Sequence, residues 1–124
     1  FSPVGEDGYP KRIWDKRTGV IDKTVAEAWK KYDLRHILET QWTVLGPKIS
    51  RKLHVYMGDM DSYYLNNALE LMNEFLSKAQ DPPFEGEIVF ERKAPHCWGP
   101  RAADLHKLMI DHVEREQARA QQRK

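Results

Sequence analysis

Apolar positions along this chain recur at two spacings, and the change between them predicts the order of elements. From Ser62 to about Ala79, the residues Leu65, Ala68, Leu69, Met72, Phe75, Leu76 and Ala79 make a continuous i, i+3, i+4 stripe, the spacing that lines one face of a helix. The run before it, KLHVYM at about 52–57, alternates instead: Leu53, Val55 and Met57 face one way, His54 and Tyr56 the other. Its β-branched and aromatic content predicts a strand, and two fairly apolar faces suit a strand covered on both sides. GEIVFERK predicts a second strand at about 87–92, with IVF at its centre. From Arg101 to about Ala118 a last helix carries Leu105, Leu108, Met109 and Val113. Upstream, Val25, Ala28, Trp29 and Tyr32 recur at helical spacing behind Asp22, a residue type that caps helix N-termini, with Thr24 and Glu27 as an alternative capping box. Asp33 opens a second short helix with Leu34, Ile37, Leu38 and Trp42 on one face, and Gly46 with Pro47 is expected to end it.

The resulting order is helix, helix, strand, helix, strand, helix. Its strand–helix–strand middle has the length of a right-handed βαβ crossover, which makes the two strands parallel and the fold class α/β, with about four helices. Two parallel strands do not form a stable sheet alone in water, so helices must cover them unusually well or further strands must come from elsewhere. The chain reads as three segments: an irregular arm at 1–20, broken by Pro3, Gly5, Gly8, Pro10 and Gly19; a folded segment at 21–118; and a polar tail at 119–124. Ile13 and Trp14 are the arm's candidate anchors. Because the sequence opens on Phe1 in a turn-rich stretch, it is expected to be a portion of a longer protein.

Composition narrows the function classes. At 124 residues the length corresponds to one domain at most. Lys and Arg number 20 against 19 Asp and Glu, so no net field points to nucleic acid, and the basic end at Arg119, Arg123 and Lys124 is too short to do so. No apolar run approaches the roughly 18 residues that a membrane span needs. The single cysteine, Cys97, excludes an internal disulfide. C-x-x-C and H-E-x-x-H patterns are absent, and no metal site is expected.

The candidate chemistry follows from the strand order. Parallel strands joined by a crossover bring their C-terminal ends, and the loops after them, side by side, and in open α/β sheets this edge binds ligands. GDMD (58–61) follows the first strand and APHCW (94–98) the second, which places Asp59 or Asp61 to approach His96. In an Asp–His pair the carboxylate accepts from one ring nitrogen, fixes the tautomer and stabilises the imidazolium, so that the other nitrogen works as a general base. An unperturbed imidazole titrates near pH 6.5, about right for that task.

KLHVYMGDMDSYYLNNALELMNEFL (52–76) followed by GEIVFERKAPHCW (86–98) resembles the C-terminal portion of α/β-hydrolases of the esterase D-like family: strand, G-x-x-D, long helix, strand, and a loop with histidine. The likeness covers roughly residues 50 to 100. It implies an α/β-hydrolase-like three-layer fold, a mostly parallel sheet with helices on both faces, of which these would be the last two strands. It implies a serine esterase acting on a small-molecule ester without a cofactor, with Asp61 as the triad acid and His96 as the base, in the chain order Ser, Asp, His. Tyr63 and Trp98, which flank the acid and the base, are the candidate substrate-binding residues. One departure matters. Ser2, Ser50, Ser62 and Ser77 all lie outside a G-x-S-x-G turn, and no oxyanion-hole segment is present. The likeness thus supplies an acid and a base without the nucleophile they activate, and these 124 residues alone are not expected to hydrolyse esters. The implied partners are a missing N-terminal part or a second copy covering the free strand edge. A different class of reading is a non-catalytic binding or assembly module on a hydrolase-derived scaffold.

Plainer roles stand beside these. Asp61 is placed to cap the helix expected from Ser62, which does not exclude catalysis. Asp59 is the rival acid, commoner as a solvent-facing turn residue, and the G-x-x-D likeness favours Asp61. Cys97 is expected to be a small packing residue. Trp29 and Trp42 lie on apolar helix stripes and are expected in the core.

Overall fold

A computed structural model of the chain describes residues 1–122. The order is α1 (Lys23–Trp29), a 3₁₀ turn (Lys30–Tyr32), α2 (Leu34–Ile49), β1 (His54–Gly58), α3 (Leu65–Leu76), β2 (Glu87–Glu91) and α4 (Ala102–Gln122). The chain is therefore mixed α/β, with four α-helices and a two-stranded parallel sheet among the described residues. It divides into two compact units, one of residues 1–54 and 67–87, the other of residues 55–66 and 88 onward.

The first unit holds an apolar core. Val25, Leu38, Trp42, Leu69, Leu76 and Ala79 are its buried hydrophobic side chains. The Asp22 carboxylate accepts from the N–H groups of Thr24 and Val25, and that of Asp33 from His36, so both helices start on side chains that satisfy N–H groups without an intrahelical partner. Helix α2, expected to stop at Gly46 and Pro47, continues to Ile49 with a kink at Gln41 (φ −126°, ψ 20°). Pro47 stands two residues from the end, where its missing N–H removes one late hydrogen bond and breaks little. Gly46 serves packing and not termination: a Cβ there would come within 2.8 Å of the Trp42 ring and of Pro82. The Trp42 indole N–H donates to the Pro82 carbonyl at 2.8 Å, and its ring meets Phe75 edge-on at 5.7 Å.

Trp29, expected in the core, is 37% exposed. Its indole N–H donates to the Ser2 hydroxyl at 2.8 Å, and its ring lines a surface cleft with Phe1, Ile13, Tyr32 and Leu34. A polar partner on the arm holds the edge of this amphipathic ring outward. The arm itself carries isolated antiparallel bridges, Val4 with Pro10 and Trp14 with Ile21, and Trp14 stays half exposed.

Sheet pairing starts where the Glu87 N–H donates to the Leu53 carbonyl and ends where the Asp59 N–H donates to Glu91, both at 3.0 Å. Both strands thus run the same way, and the segments after them leave from one rim. Val55, Tyr56 and Met57 are only half buried, less than a strand covered on both faces would be. In the second unit the buried residues are Gly58, Asp61, Asn66 and Ala94. Helix α4, 21 residues long, buries none of its side chains and leaves Leu105, Leu108, Met109, Ile110 and Val113 exposed. It continues through Arg119 to Gln122; positions 123 and 124 of the polar tail lie outside the described residues. No helix among the described residues is long and apolar enough to cross a membrane.

Candidate active site

The segments that follow β1 and β2 are joined at the rim by their main chains. Gly58 ends β1, and a Cβ on it would strike the carbonyl oxygens of Ala94 and Pro95. Only glycine lets the two segments approach this closely. The Met60 N–H donates to the Ala94 carbonyl at 3.0 Å, one step beyond the last strand bond. The Asp59 carboxylate accepts from the Lys93 N–H at 2.5 Å. Asp59 therefore ties down the backbone of the second loop, and the hydrogen bond to histidine belongs to the other aspartate.

Asp61 and His96, 35 residues apart in sequence, meet with Nδ1 2.6 Å from Oδ2. The Asp61 side chain is fully buried, while that of His96 is 35% exposed. The two carboxylate oxygens divide the work: Oδ1 accepts the Tyr63 N–H at 2.8 Å and more loosely that of Leu65 at 3.4 Å, and Oδ2 faces His96. Asp61 is thus both a turn-forming residue and the partner of the imidazole. Helix α3 starts at Leu65, not Ser62, because the intervening residues form the turn that Asp61 holds, with the Tyr64 N–H on the Asp61 carbonyl at 3.0 Å.

Burial pushes the Asp61 carboxyl up, but the His96 hydrogen bond, the N–H groups of Tyr63 and Leu65 and the charge of His96 outweigh it, and the net shift is downward. The carboxylate is then ionised near neutrality and can only accept, so Nδ1 is the donor. In the neutral ring this leaves the lone pair on Nε2, which has no hydrogen-bond partner among the described residues. Asp61 thus sets the tautomer and orientation of the ring from behind and leaves Nε2 able to accept a proton.

Backbone strain collects around it. Among the described residues, Tyr64 (φ 59°), Lys93 (φ 60°) and Cys97 (φ 61°) are the non-glycine positions in the left-handed region. Each lies in one of the two rim segments and costs about 1–2 kcal/mol relative to ordinary backbone. Cys97, expected to pack, is exposed; the left-handed turn beside His96 leaves its thiol at the surface. The Tyr63 ring, itself largely exposed, stands edge-to-face against His96 at 4.7 Å and 70°. Trp98 is half buried, with its N–H donating to the Pro95 carbonyl at 3.3 Å. No group of three or more His, Cys, Asp or Glu among the described residues is placed to hold a metal ion. No serine hydroxyl among the described residues hydrogen-bonds to His96.

Two features of this site escape a reading by motif. The role of Gly58 has a sequence signal, a glycine where a strand meets an acidic turn, yet only the coordinates reveal the carbonyls it accommodates. The Asp59–Lys93 bond has no signal, since any residue's N–H would serve. Comparison with protein-family models, with curated proteins and with solved structures returns no match.

Proposed function

We propose that this chain is the C-terminal portion of an α/β-hydrolase-like serine esterase, with Asp61 as the acid that orients His96 and His96 as the general base. The observation that carries the reading is the 2.6 Å bond from a one-third-exposed imidazole to a carboxylate with no exposed surface. In that role Nε2 takes the proton of a serine hydroxyl as the hydroxyl attacks an ester carbonyl, and returns it to the departing alcohol. Water then repeats the sequence on the acyl-enzyme. The serine, in a G-x-S-x-G turn, and the oxyanion hole are supplied by polypeptide outside these 124 residues. The substrate is a small-molecule ester, with Tyr63 and Trp98 beside it, and no cofactor takes part.

A fluorophosphonate probe tests this in two arms. The 124-residue chain alone stays unlabelled. The protein extended upstream of Phe1 is labelled and hydrolyses aryl esters, and Asp61→Asn or His96→Ala lowers its kcat by about ten-thousand-fold. An upstream reading frame without G-x-S-x-G, or labelling of the short chain, would sink the proposal.

One observation favours a second reading, an assembly module without catalysis: α4 buries nothing and exposes Leu105, Leu108, Met109, Ile110 and Val113. On that reading the free sheet edge or this helix takes a second copy or another chain. A start codon close to Phe1, together with concentration-dependent self-association by light scattering, is its expected signature.

A further inference from the structure

We propose that Tyr63 is a positioning residue: its ring clamps the His96 imidazole while its main chain holds the carboxylate behind it. The Tyr63 N–H donates to Asp61 Oδ1 at 2.8 Å, and the Tyr63 ring meets the His96 ring at 4.7 Å and 70°. A single hydrogen bond at Nδ1 is a hinge. It fixes one nitrogen but lets the ring rock about the donor–acceptor line, carrying Nε2 with it. An aromatic ring against the imidazole limits that swing from one side. Edge-to-face contact with offset charge is the arrangement aromatic pairs prefer, and contacts of this kind shift an orientation equilibrium by about two- to ten-fold.

The position of the ring is set by the acid itself. Tyr63 follows Asp61 by two residues, and the turn that Oδ1 closes on its N–H determines where the Tyr63 side chain leaves the backbone. The next residue, Tyr64, takes left-handed backbone (φ 59°) and reverses the chain into α3. Acid, turn and clamp are therefore built from one short segment, and the base reaches them from the other strand. Tyr63 is 70% exposed, so burial alone gives its ring no fixed place; the contact with His96 does. The hydroxyl has no part in this. The role assigned to Tyr63 differs from substrate contact through that hydroxyl, and Tyr63→Phe separates the two.

The inference rests on His96 acting as the base, and its test needs no nucleophile. In the 124-residue chain with ¹⁵N- and ¹³C-labelled histidine, NMR reads the His96 ring protons and the Nδ1 proton directly. The Tyr63→Phe variant is expected to keep the wild-type ring-proton shifts and Nδ1–H exchange rate. Tyr63→Ala retains the main-chain bond to Asp61 and loses only the ring. Its Nδ1–H exchange speeds up about two- to ten-fold; the His96 ring protons lose the Tyr63 ring current in any case, so the exchange rate is the deciding readout. Tyr63→Leu, which keeps apolar bulk without a π-face, follows Ala, and it decides the question should the alanine variant fold poorly. Wild-type Nδ1–H exchange in the leucine or alanine variant, with Trp42 and Phe75 signals showing an intact core, overturns the clamp. So does a phenylalanine variant that behaves like alanine. In the upstream-extended protein, loss of the clamp in Tyr63→Ala lowers kcat. Failure of fluorophosphonate labelling there bears on the esterase reading alone, because the Nδ1–H exchange of His96 reports the clamp independently.

Discussion

The two compact units bury different chemistry. The unit of residues 1–54 and 67–87 hides mainly apolar side chains, Val25, Leu38, Trp42, Leu69, Leu76 and Ala79, together with Gly46 and Ser50. The unit of 55–66 and 88 onward hides a glycine, a carboxylate, an amide and one alanine: Gly58, Asp61, Asn66 and Ala94. The first is held by non-directional burial, which tolerates small shifts. The second is held by hydrogen bonds between two rim segments, which are directional and fail when a donor moves by a fraction of an ångström. Left-handed backbone at Tyr64, Lys93 and Cys97 belongs wholly to the second unit. Apolar burial in one unit and strain with polar geometry in the other is the division expected between a stabilising core and a site.

Trp42→Ala is the largest stability change that this contrast implies. It empties a buried aromatic site, removes the edge contact with Phe75 and leaves the Pro82 carbonyl without its indole donor. Such truncations cost about 3–5 kcal/mol, a large share of what holds a small protein folded. Urea unfolding followed by tryptophan fluorescence measures it. A loss under about 1 kcal/mol would mean that the apolar cluster is not the main source of stability in its unit.

Gly58→Ala probes the second unit with the smallest possible addition. The new methyl meets backbone carbonyls of Ala94 and Pro95, which have no rotamer to retreat into. Overpacking of this kind costs about 1–3 kcal/mol. The more telling readout is local. Ala94 and Pro95 immediately precede His96, so the forced shift pulls Nδ1 away from Asp61 Oδ2, and the Nδ1 proton signal broadens or vanishes in an NMR spectrum. A variant that keeps that signal with unchanged stability would show the rim to be as forgiving as the core.

How far the sequence foretells these arrangements depends on how local their causes are. The caps at Asp22 and Asp33 and the stripe of α3 have causes within a few residues, and they read correctly from the sequence. The meeting of an aspartate after β1 with His96 is long-range but topological: KLHVYM and the IVF run predict strands, the length between them predicts a parallel crossover, and parallel strands share a rim; the choice of Asp61 over Asp59 rests on the family resemblance. Where tertiary partners decide, the pattern misleads. Gly46 and Pro47 resemble a stop, yet the glycine is there for the Trp42 ring and Pro82. Ser62 looks like the first residue of α3, but the Asp61 carboxylate diverts the chain until Leu65. Trp29 fits its stripe and still turns outward to Ser2, and Cys97 is set by a left-handed turn that no local propensity encodes.

The smallest expected effect is one of pH, and its sign follows from Asp61. Burial raises the carboxyl, but His96 and the N–H groups of Tyr63 and Leu65 win, so the folded-state pKa lies below the ordinary 3.8. A depressed folded pKa stabilises the fold above the unfolded value, and the contribution disappears as pH falls through the folded value. The loss therefore falls below about pH 4, leaving stability between pH 5 and 7 untouched by this group. Other carboxyls share the direction: Asp15, lowered by the Thr18 and Arg17 N–H groups, and Glu74, lowered by Lys78, both in the first unit. They are exposed, and solvent screens them, so little of the acid loss is theirs. Asp61→Asn isolates the site's share, because asparagine keeps an acceptor for the backbone N–H groups and has no proton to gain. Thermal midpoints measured from pH 6 down to pH 2.5 are expected to fall less steeply for this variant than for the parent chain. Parallel acid limbs would assign the loss to carboxyls other than Asp61 and would remove electrostatics from what distinguishes the second unit from the first.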